Sequence, residues 1–543
     1  MSWMQNKRSF RIWAGIVSVG LILLGCNLTA PGRLPATSET APTIPPAMTP
    51  ASTQPAQEPS PTPASPQPLE LPAPGDPALA LLPAARQDLA SLGQAPRYTL
   101  ALEIDPSLRR FQGRARVEVT NQEDVPLEVI YFRLLPNGQK SYGDGSLTVS
   151  EVRVGGEQAP SKLSMQDTVL EVDLPASLAP GERVQIDLAF AGEVPLDFGS
   201  GTAGYGIYNF DLSQVVLSLS GWYPILAVYD DQGWNLDPVS EIGDSVYSDT
   251  ALYAVQVCAP AGLLVASTGS RIDEQASGSN VCTRFESGPT RDFYLAASPN
   301  FHLDSQQVDG VMIHSYSLPG HESAAQLALD VALDSLRIYN QKFGPYPFAE
   351  LDMVDAPMRN ALGVEYPGII LIGNTLYDQP GEPEFSVTIA HEVAHQWWYS
   401  VVGNDVFDSP WLDEGLTTYS SSLYYEFGRS PEFARSLLEY WQQRYERLMA
   451  DGKDDRITEG LAYYEGLGDP GVYSGVVYTK AALFFHALRL EIGDTAFFEA
   501  LKQYYQARKY GIAVPADVLA AFEEAAGRSL EAFYSSWLNM PER

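Results

Sequence analysis

Two histidines four residues apart constrain this chain more than any other feature. His391-Glu392-Val393-Ala394-His395 lies in a stretch with helical periodicity that runs from about Pro383 to the breaker Gly403. Positions i and i+4 of a helix share one face, so both imidazoles reach a single ion. Histidine is scarce, with six in 543 residues, and two of the six are used in this one turn. Imidazole nitrogen suits zinc, which tolerates an open position for water. Glu392 directly follows the first histidine and is placed to take a proton from such a water and pass it to a leaving group. A further 18 residues separate His395 from Glu414, in Trp411-Leu412-Asp413-Glu414-Gly415. Ser409 as N-cap and Pro410 at the first helical position predict a second helix that stops at Gly428. Antiparallel contact between the two helices brings Glu414 beside the histidine pair as third ligand, while Asp413 serves the helix N-terminus.

The rest of the chain divides around this motif. Pro77 to Gln94 carries a helical pattern of leucines. Alternating segments such as Tyr98–Ile104, Gly113–Thr120 and Val184–Phe190 follow, separated by turn residues, and predict a mostly antiparallel β domain. After residue 310 the periodicity becomes helical from Ala324 to Phe343. Two strand-like runs come next, Leu351–Val354 and Gly368–Ile372, and then mainly helices, one starting at Ser430-Pro431. The expected fold is therefore multidomain. An N-terminal antiparallel β domain covers 77–305, and an α/β-to-α domain bearing the metal motif covers 306–543.

The first 76 residues read as export and tether. Lys7, Arg8 and Arg11 precede 13 apolar residues, Ile12 to Leu24, which is too short to span a bilayer comfortably and right for a signal segment. Residues 27–76 hold 14 of the 41 prolines and no Phe, Trp or Tyr. Such a segment has nothing to bury, and as an extended tether it reaches roughly 150 Å. The chain carries 34 basic and 67 acidic residues, a formal charge of −33, which repels nucleic acid. Cys258 and Cys282 sit near the ends of two strand-like runs. In an oxidising compartment they form one disulfide across neighbouring strands; the alternative is two buried thiols.

Several segments together resemble a known family. His391-Glu-Val-Ala-His-Gln-Trp-Trp398, the spacing to Glu414, Phe343-Gly-Pro-Tyr-Pro-Phe348, Gly363-Val-Glu-Tyr366 and Tyr478-Thr-Lys480 are similar to the gluzincin aminopeptidases, the aminopeptidase N and leukotriene-hydrolase family. The resemblance implies a thermolysin-like catalytic domain at 306–543 and one zinc ion held by His391, His395 and Glu414. It implies Glu392 as general base and Tyr478 as the phenol that hydrogen-bonds the tetrahedral oxyanion. Glu365 becomes the carboxylate that binds the α-amine of a peptide substrate. Leu23-Leu24-Gly25-Cys26 resembles the lipobox of bacterial lipoproteins, which implies a signal peptide at 1–25, acylation of Cys26, a tether at 26–76 and an extracytoplasmic enzyme anchored to the membrane by lipid.

The sequence departs from the family pattern at Leu362, Tyr366 and Ala481. A second amine-binding residue is expected near Gly221-Trp-Tyr-Pro224, where no acidic residue precedes the motif and Gln214 is a weak candidate. The chain ends near Trp537–Pro541, so the long helical-repeat domain of larger members is expected to be missing and the cleft more open. A zinc-dependent aminopeptidase is the leading reading. A zinc endopeptidase of the same fold, or a non-catalytic binding module that kept the metal, are the alternatives.

Overall fold

The computed structural model describes residues 69–538, apart from 106, 197–203, 209–213 and 245. The signal segment, Cys26 and nearly all of the expected tether lie outside the described residues. An eight-stranded sheet forms the centre of the N-terminal part, with two four-stranded sheets beside it. Alternation of buried and open positions along Arg110–Thr120 shows why these runs are strands: every second side chain enters the core. Pairing is antiparallel except where Arg97–Ile104 lies parallel to Leu252–Pro260. The expected helix over Pro77 to Gln94 is instead two short 3-10 turns, Pro77–Ala80 and Arg86–Ser91. Prolines at 77 and 83 break that stretch, and its leucines pack as isolated anchors: Leu81 is buried, and its backbone bridges to Phe348.

Cys258 and Cys282 face each other directly across the antiparallel pair Leu252–Pro260 and Asn280–Glu286, and they are joined as a disulfide.

The second part is built on a five-stranded sheet. Its strands are β1 (His302–Val308), β2 (Val311–Ser317), β3 (Glu350–Ala356), β4 (Gly363–Tyr366) and β5 (Ile369–Gly373), in the spatial order β1-β2-β3-β5-β4. This sheet begins at His302, slightly before the expected boundary at 306. Strands β2, β3 and β5 run parallel, and β1 and β4 are antiparallel edges. The central β5 is buried throughout, as expected for a strand covered on both faces. Helix α1 (Glu322–Lys342) packs near helices α2 (Pro383–Ala394) and α3 (Trp411–Tyr424). The Tyr339 hydroxyl of α1 donates to the carbonyls of Ala390 on α2 (2.9 Å) and Ser420 on α3 (3.0 Å), tying the two motif helices together.

Helix boundaries differ from the sequence expectation at two places that matter. Helix α2 ends at Ala394 rather than at Gly403; turns follow from His395, and Tyr399 takes φ = 128°. Helix α3 starts at Trp411 behind Pro410, and Ser409 makes no side-chain cap. The Ser430 cap does form: its hydroxyl accepts the Phe433 N–H at the start of Pro431–Ala450.

The disulfide closes a sequence separation of 24 residues. Replacing Cys258 and Cys282 by Ala should lower the unfolding free energy of the β-rich part by about 3 kcal/mol, from loop-closure entropy. Urea titration followed by fluorescence reads this; an unshifted midpoint contradicts a stabilising bridge.

Candidate functional site

The motif residues converge where α2, α3 and the edge strand β4 meet. His391 and His395 lie one turn apart at the end of α2, and their Nε2 atoms are 3.2 Å apart. Glu414, in the first turn of α3, places Oε2 at 3.2 Å from His391 Nε2 and 3.5 Å from His395 Nε2. All three side chains are buried. Burial pushes both imidazoles below the usual histidine range, His395 to about 3, so they are neutral at pH 7. His395 Nδ1–H donates to the Trp398 carbonyl (3.1 Å), which leaves the lone pair on Nε2. Glu414 Oε2 accepts no hydrogen bond and faces both ring nitrogens. Three buried ligand atoms aimed at one point are unfavourable by themselves and fit one zinc ion, which takes imidazole nitrogen and carboxylate oxygen at about 2.0–2.2 Å.

Around this cluster stand the other expected residues. Glu392 is buried next to the histidines, and its carboxyl occupies space that a side chain at 363 would need: a Cβ on Gly363 would lie 2.2 Å from Glu392 Oε1. Glu365 lies on β4, not in a turn, and its Oε1 is 3.7 Å from His395 Nδ1. Gln396, the residue after the second histidine, fixes this strand. Its Nε2 donates to the Tyr366 carbonyl (3.0 Å), and its Oε1 accepts from the Gly368 N–H (2.8 Å). Tyr366, in place of the family asparagine, stacks on Tyr294 with ring centroids 4.0 Å apart. Tyr478 sits on the wide π-helical turn Ser474–Lys480, a form frequent at functional sites, and its hydroxyl donates to Glu414 Oε1. Tyr473 packs edge-on against the Tyr478 ring at 5.7 Å and so lines the site.

One acidic residue escaped sequence reasoning. Asp244 comes from the irregular stretch between Gly233–Trp234 and Leu252–Pro260, and its carboxyl lies close enough to Glu365 for each to perturb the other. The neighbouring Gly243 is held close to Tyr473: a Cβ there would lie 2.9 Å from the Tyr473 hydroxyl. Burial first, and then the Glu414 charge, push the Asp244 carboxyl well up. Burial first, then Asp244, Glu392 and Glu414, push Glu365 up as well. The region around Gly221–Pro224, where the second residue was expected, is packed core instead: Trp222 and Tyr223 are buried, and Trp222 Nε1 donates to the Phe293 carbonyl (2.9 Å). The available signal was length, since long loops without regular structure inside a compact domain are uncommon and usually functional.

The N-terminal part also braces the turn after α2. Arg291, itself buried, donates from Nε to the Tyr399 carbonyl (2.7 Å), from Nη1 to the Ser248 carbonyl (3.2 Å) and from Nη2 to the Gly511 carbonyl. The Tyr399 hydroxyl donates to Asp292 Oδ2 (3.4 Å). Tyr399, strained in the turn that follows the histidine helix, is therefore held at both its backbone and its hydroxyl.

With this geometry in place, comparison with known proteins is informative. Residues 327–537 match the Peptidase family M1 domain. Aminopeptidase M1-D of Oryza sativa subsp. japonica is 26% identical over 81% of this chain and 49% of its own length. Aminopeptidase M1-B of the same species is 26% identical over 51% of this chain and 33% of its own length. The chain thus spans half or less of the length of these curated relatives. An M1 zinc metallopeptidase from Deinococcus radiodurans superposes with a TM-score of 0.60 at 21% identity, covering 83% of this chain and 95% of that one, which is a likeness of fold.

Arg291→Ala strips three buried carbonyls and two neighbouring acids of their cation. It should cost about 3–5 kcal/mol of stability, the range for breaking a buried pair from one side. Denaturant unfolding of the variant beside wild type measures it, and a loss under 1 kcal/mol would contradict the brace.

Proposed function

We propose that this chain, whose residues 327–537 match the Peptidase family M1 domain, is a zinc-dependent aminopeptidase that removes N-terminal residues from peptides. The observation that carries this reading is the pairing of Glu365 with Asp244 beside the histidine–glutamate cluster. Two carboxyls beyond those that face the metal give the site more negative charge than one divalent ion neutralises. A substrate α-ammonium supplies the balance, and its fixed seat limits cleavage to the first peptide bond. An endopeptidase has no use for such a seat, and a purely structural metal site has no use for Glu392 or Tyr478.

His391, His395 and Glu414 are the proposed ligands. When bound, zinc supplies Lewis-acid polarisation of the scissile carbonyl and lowers the pKa of a coordinated water. Glu392 accepts the proton of the attacking water and returns it to the leaving nitrogen. The Tyr478 hydroxyl, held within the same cluster, donates to the oxyanion that develops in the transition state, where such a bond is worth most. Glu365 and Asp244 hold the α-ammonium and orient the substrate. Gln396 keeps β4, and with it Glu365, in register with the histidine helix.

Two substitutions separate these roles. Glu392→Gln should retain zinc and lose at least about a thousandfold in kcat, as removal of a general base does. Asp244→Asn should raise KM for a free aminoacyl chromogenic substrate about tenfold, the scale of one lost charged contact of about 1.4 kcal/mol, while leaving the N-acetylated analogue unaffected. Faster cleavage of the blocked analogue by the wild type overturns the aminopeptidase reading.

We further propose that the enzyme is a lipoprotein that works outside the cytoplasm on incoming peptides. The basic residues, the apolar stretch and Leu23–Cys26 support export and acylation. The Cys258–Cys282 disulfide fits an oxidising compartment. Cys26→Ser should release the protein from membranes into the soluble fraction with peptidase activity unchanged. Retention on membranes after a high-salt wash would assign the attachment to an uncleaved apolar segment instead.

A further inference from the structure

A second cluster of metal-type donors lies away from the peptidase site, on β2 and β3. In the parallel register His314 stands beside Asp352, and Glu350 lies two residues before Asp352 on the same face of β3. One ligand atom from each of the three falls within 4.8 Å of the others. The imidazole is oriented from behind: His314 Nδ1 is 2.6 Å from Ser305 Oγ, on the facing position of β1, which directs Nε2 towards the carboxylates. His314 Nε2 stands 3.9 Å from Glu350 Oε2. That is too long for a hydrogen bond. It matches the separation of two ligands that each sit about 2.0–2.2 Å from one ion, which reaches roughly 4 Å at wide angles.

Asp352 supplies the independent observation. It is 4% exposed, and its Oδ2 is anchored by the Ser267 N–H at 3.2 Å. Its Oδ1 is buried and makes no hydrogen bond of ordinary geometry, with the Tyr316 hydroxyl lying against the same carboxyl. A buried carboxylate oxygen left without a donor is costly unless something positive occupies the space before it. Arg271 is the nearby cation, but its Nη1 donates to Glu274 Oε2 (3.3 Å) and its Nη2 to the Val265 carbonyl (3.1 Å). His314 and Glu350 remain 21% and 24% exposed at their side chains, so water can complete a coordination shell.

We propose that His314, Glu350 and Asp352 bind a divalent transition cation of the zinc class. One imidazole nitrogen with two carboxylate oxygens is a borderline donor set that suits such an ion. All three ligands belong to the five-stranded sheet, while Ser267 of the N-terminal part donates to the other oxygen of Asp352. This inference is independent of the peptidase reading.

The test uses the purified full-length protein and zinc itself as probe. Samples are equilibrated with micromolar zinc, passed through metal-free buffer and analysed for zinc per chain by mass spectrometry. A His391→Ala, His395→Ala double variant removes the peptidase-site ion and should still hold one equivalent. Adding His314→Ala, or separately Asp352→Asn, should remove that remaining equivalent. In the same double variant zinc should raise the thermal midpoint by a few degrees, and His314→Ala should abolish the rise. His314→Ala alone should keep wild-type peptide hydrolysis. Absence of zinc in the double variant, or its retention after both His314→Ala and Asp352→Asn, overturns the proposal.

Discussion

Burying carboxyl groups against one another is the constraint on which this structure depends. Glu365, Glu392 and Glu414 are each at most 3% exposed, and Asp244 joins them beside two neutral imidazoles. A charge taken out of water without a partner costs several kcal/mol, so such a site is stable only with cations supplied by something other than the histidines. In the proposed reaction a divalent ion and a substrate ammonium meet that requirement in the two places where the negative groups collect. Until they arrive, the raised affinity of Glu365 and Asp244 for protons limits the repulsion.

The scaffold holds these groups in place by linking elements distant in sequence. The Tyr339 hydroxyl bonds carbonyls on both ligand helices, and Gln396 clamps the strand that carries Glu365. Arg291 reaches from the N-terminal part to the carbonyl of Tyr399, directly after the turn that orients His395. The β-rich part is therefore more than a spacer. It contributes Asp244 to the site and a buried guanidinium to the end of the histidine helix. A site assembled from both parts keeps its geometry only while the interface between them is intact.

Much of this was readable from residue spacing, and the failures have common physical causes. The i, i+4 histidines and the interval to Glu414 specify a three-residue cluster because helix geometry is local and periodic. The disulfide was expected from two cysteines near strand ends in an oxidising compartment, with two thiols as the alternative, and the strand register places them opposite each other. The reversal at Tyr399, beyond the end of α2, was missed because it is held by Arg291, over a hundred residues earlier. Ser409 makes no cap although Ser430 does, because Pro410 itself takes the N-cap position of α3 and leaves Ser409 one residue too early. Asp244 was invisible for a related reason: no periodic pattern marks it, and only folding brings its loop to β4. Local signals thus gave the metal cluster and, through the family resemblance, Glu365, while its neighbour Asp244 is brought in only by non-local contacts.

The central claim is that one end of the peptide, its free amine, decides where the bond is cut. Time-resolved mass spectrometry of an unblocked peptide of about ten residues, a length beyond any one-residue seat, incubated with the zinc-loaded enzyme, tests that claim most directly. The account predicts a ladder of products, each shorter by one residue from the amino terminus, with single amino acids accumulating and the carboxyl-terminal fragments intact. Internal fragments appearing first, with the amino-terminal residue still attached, would contradict it.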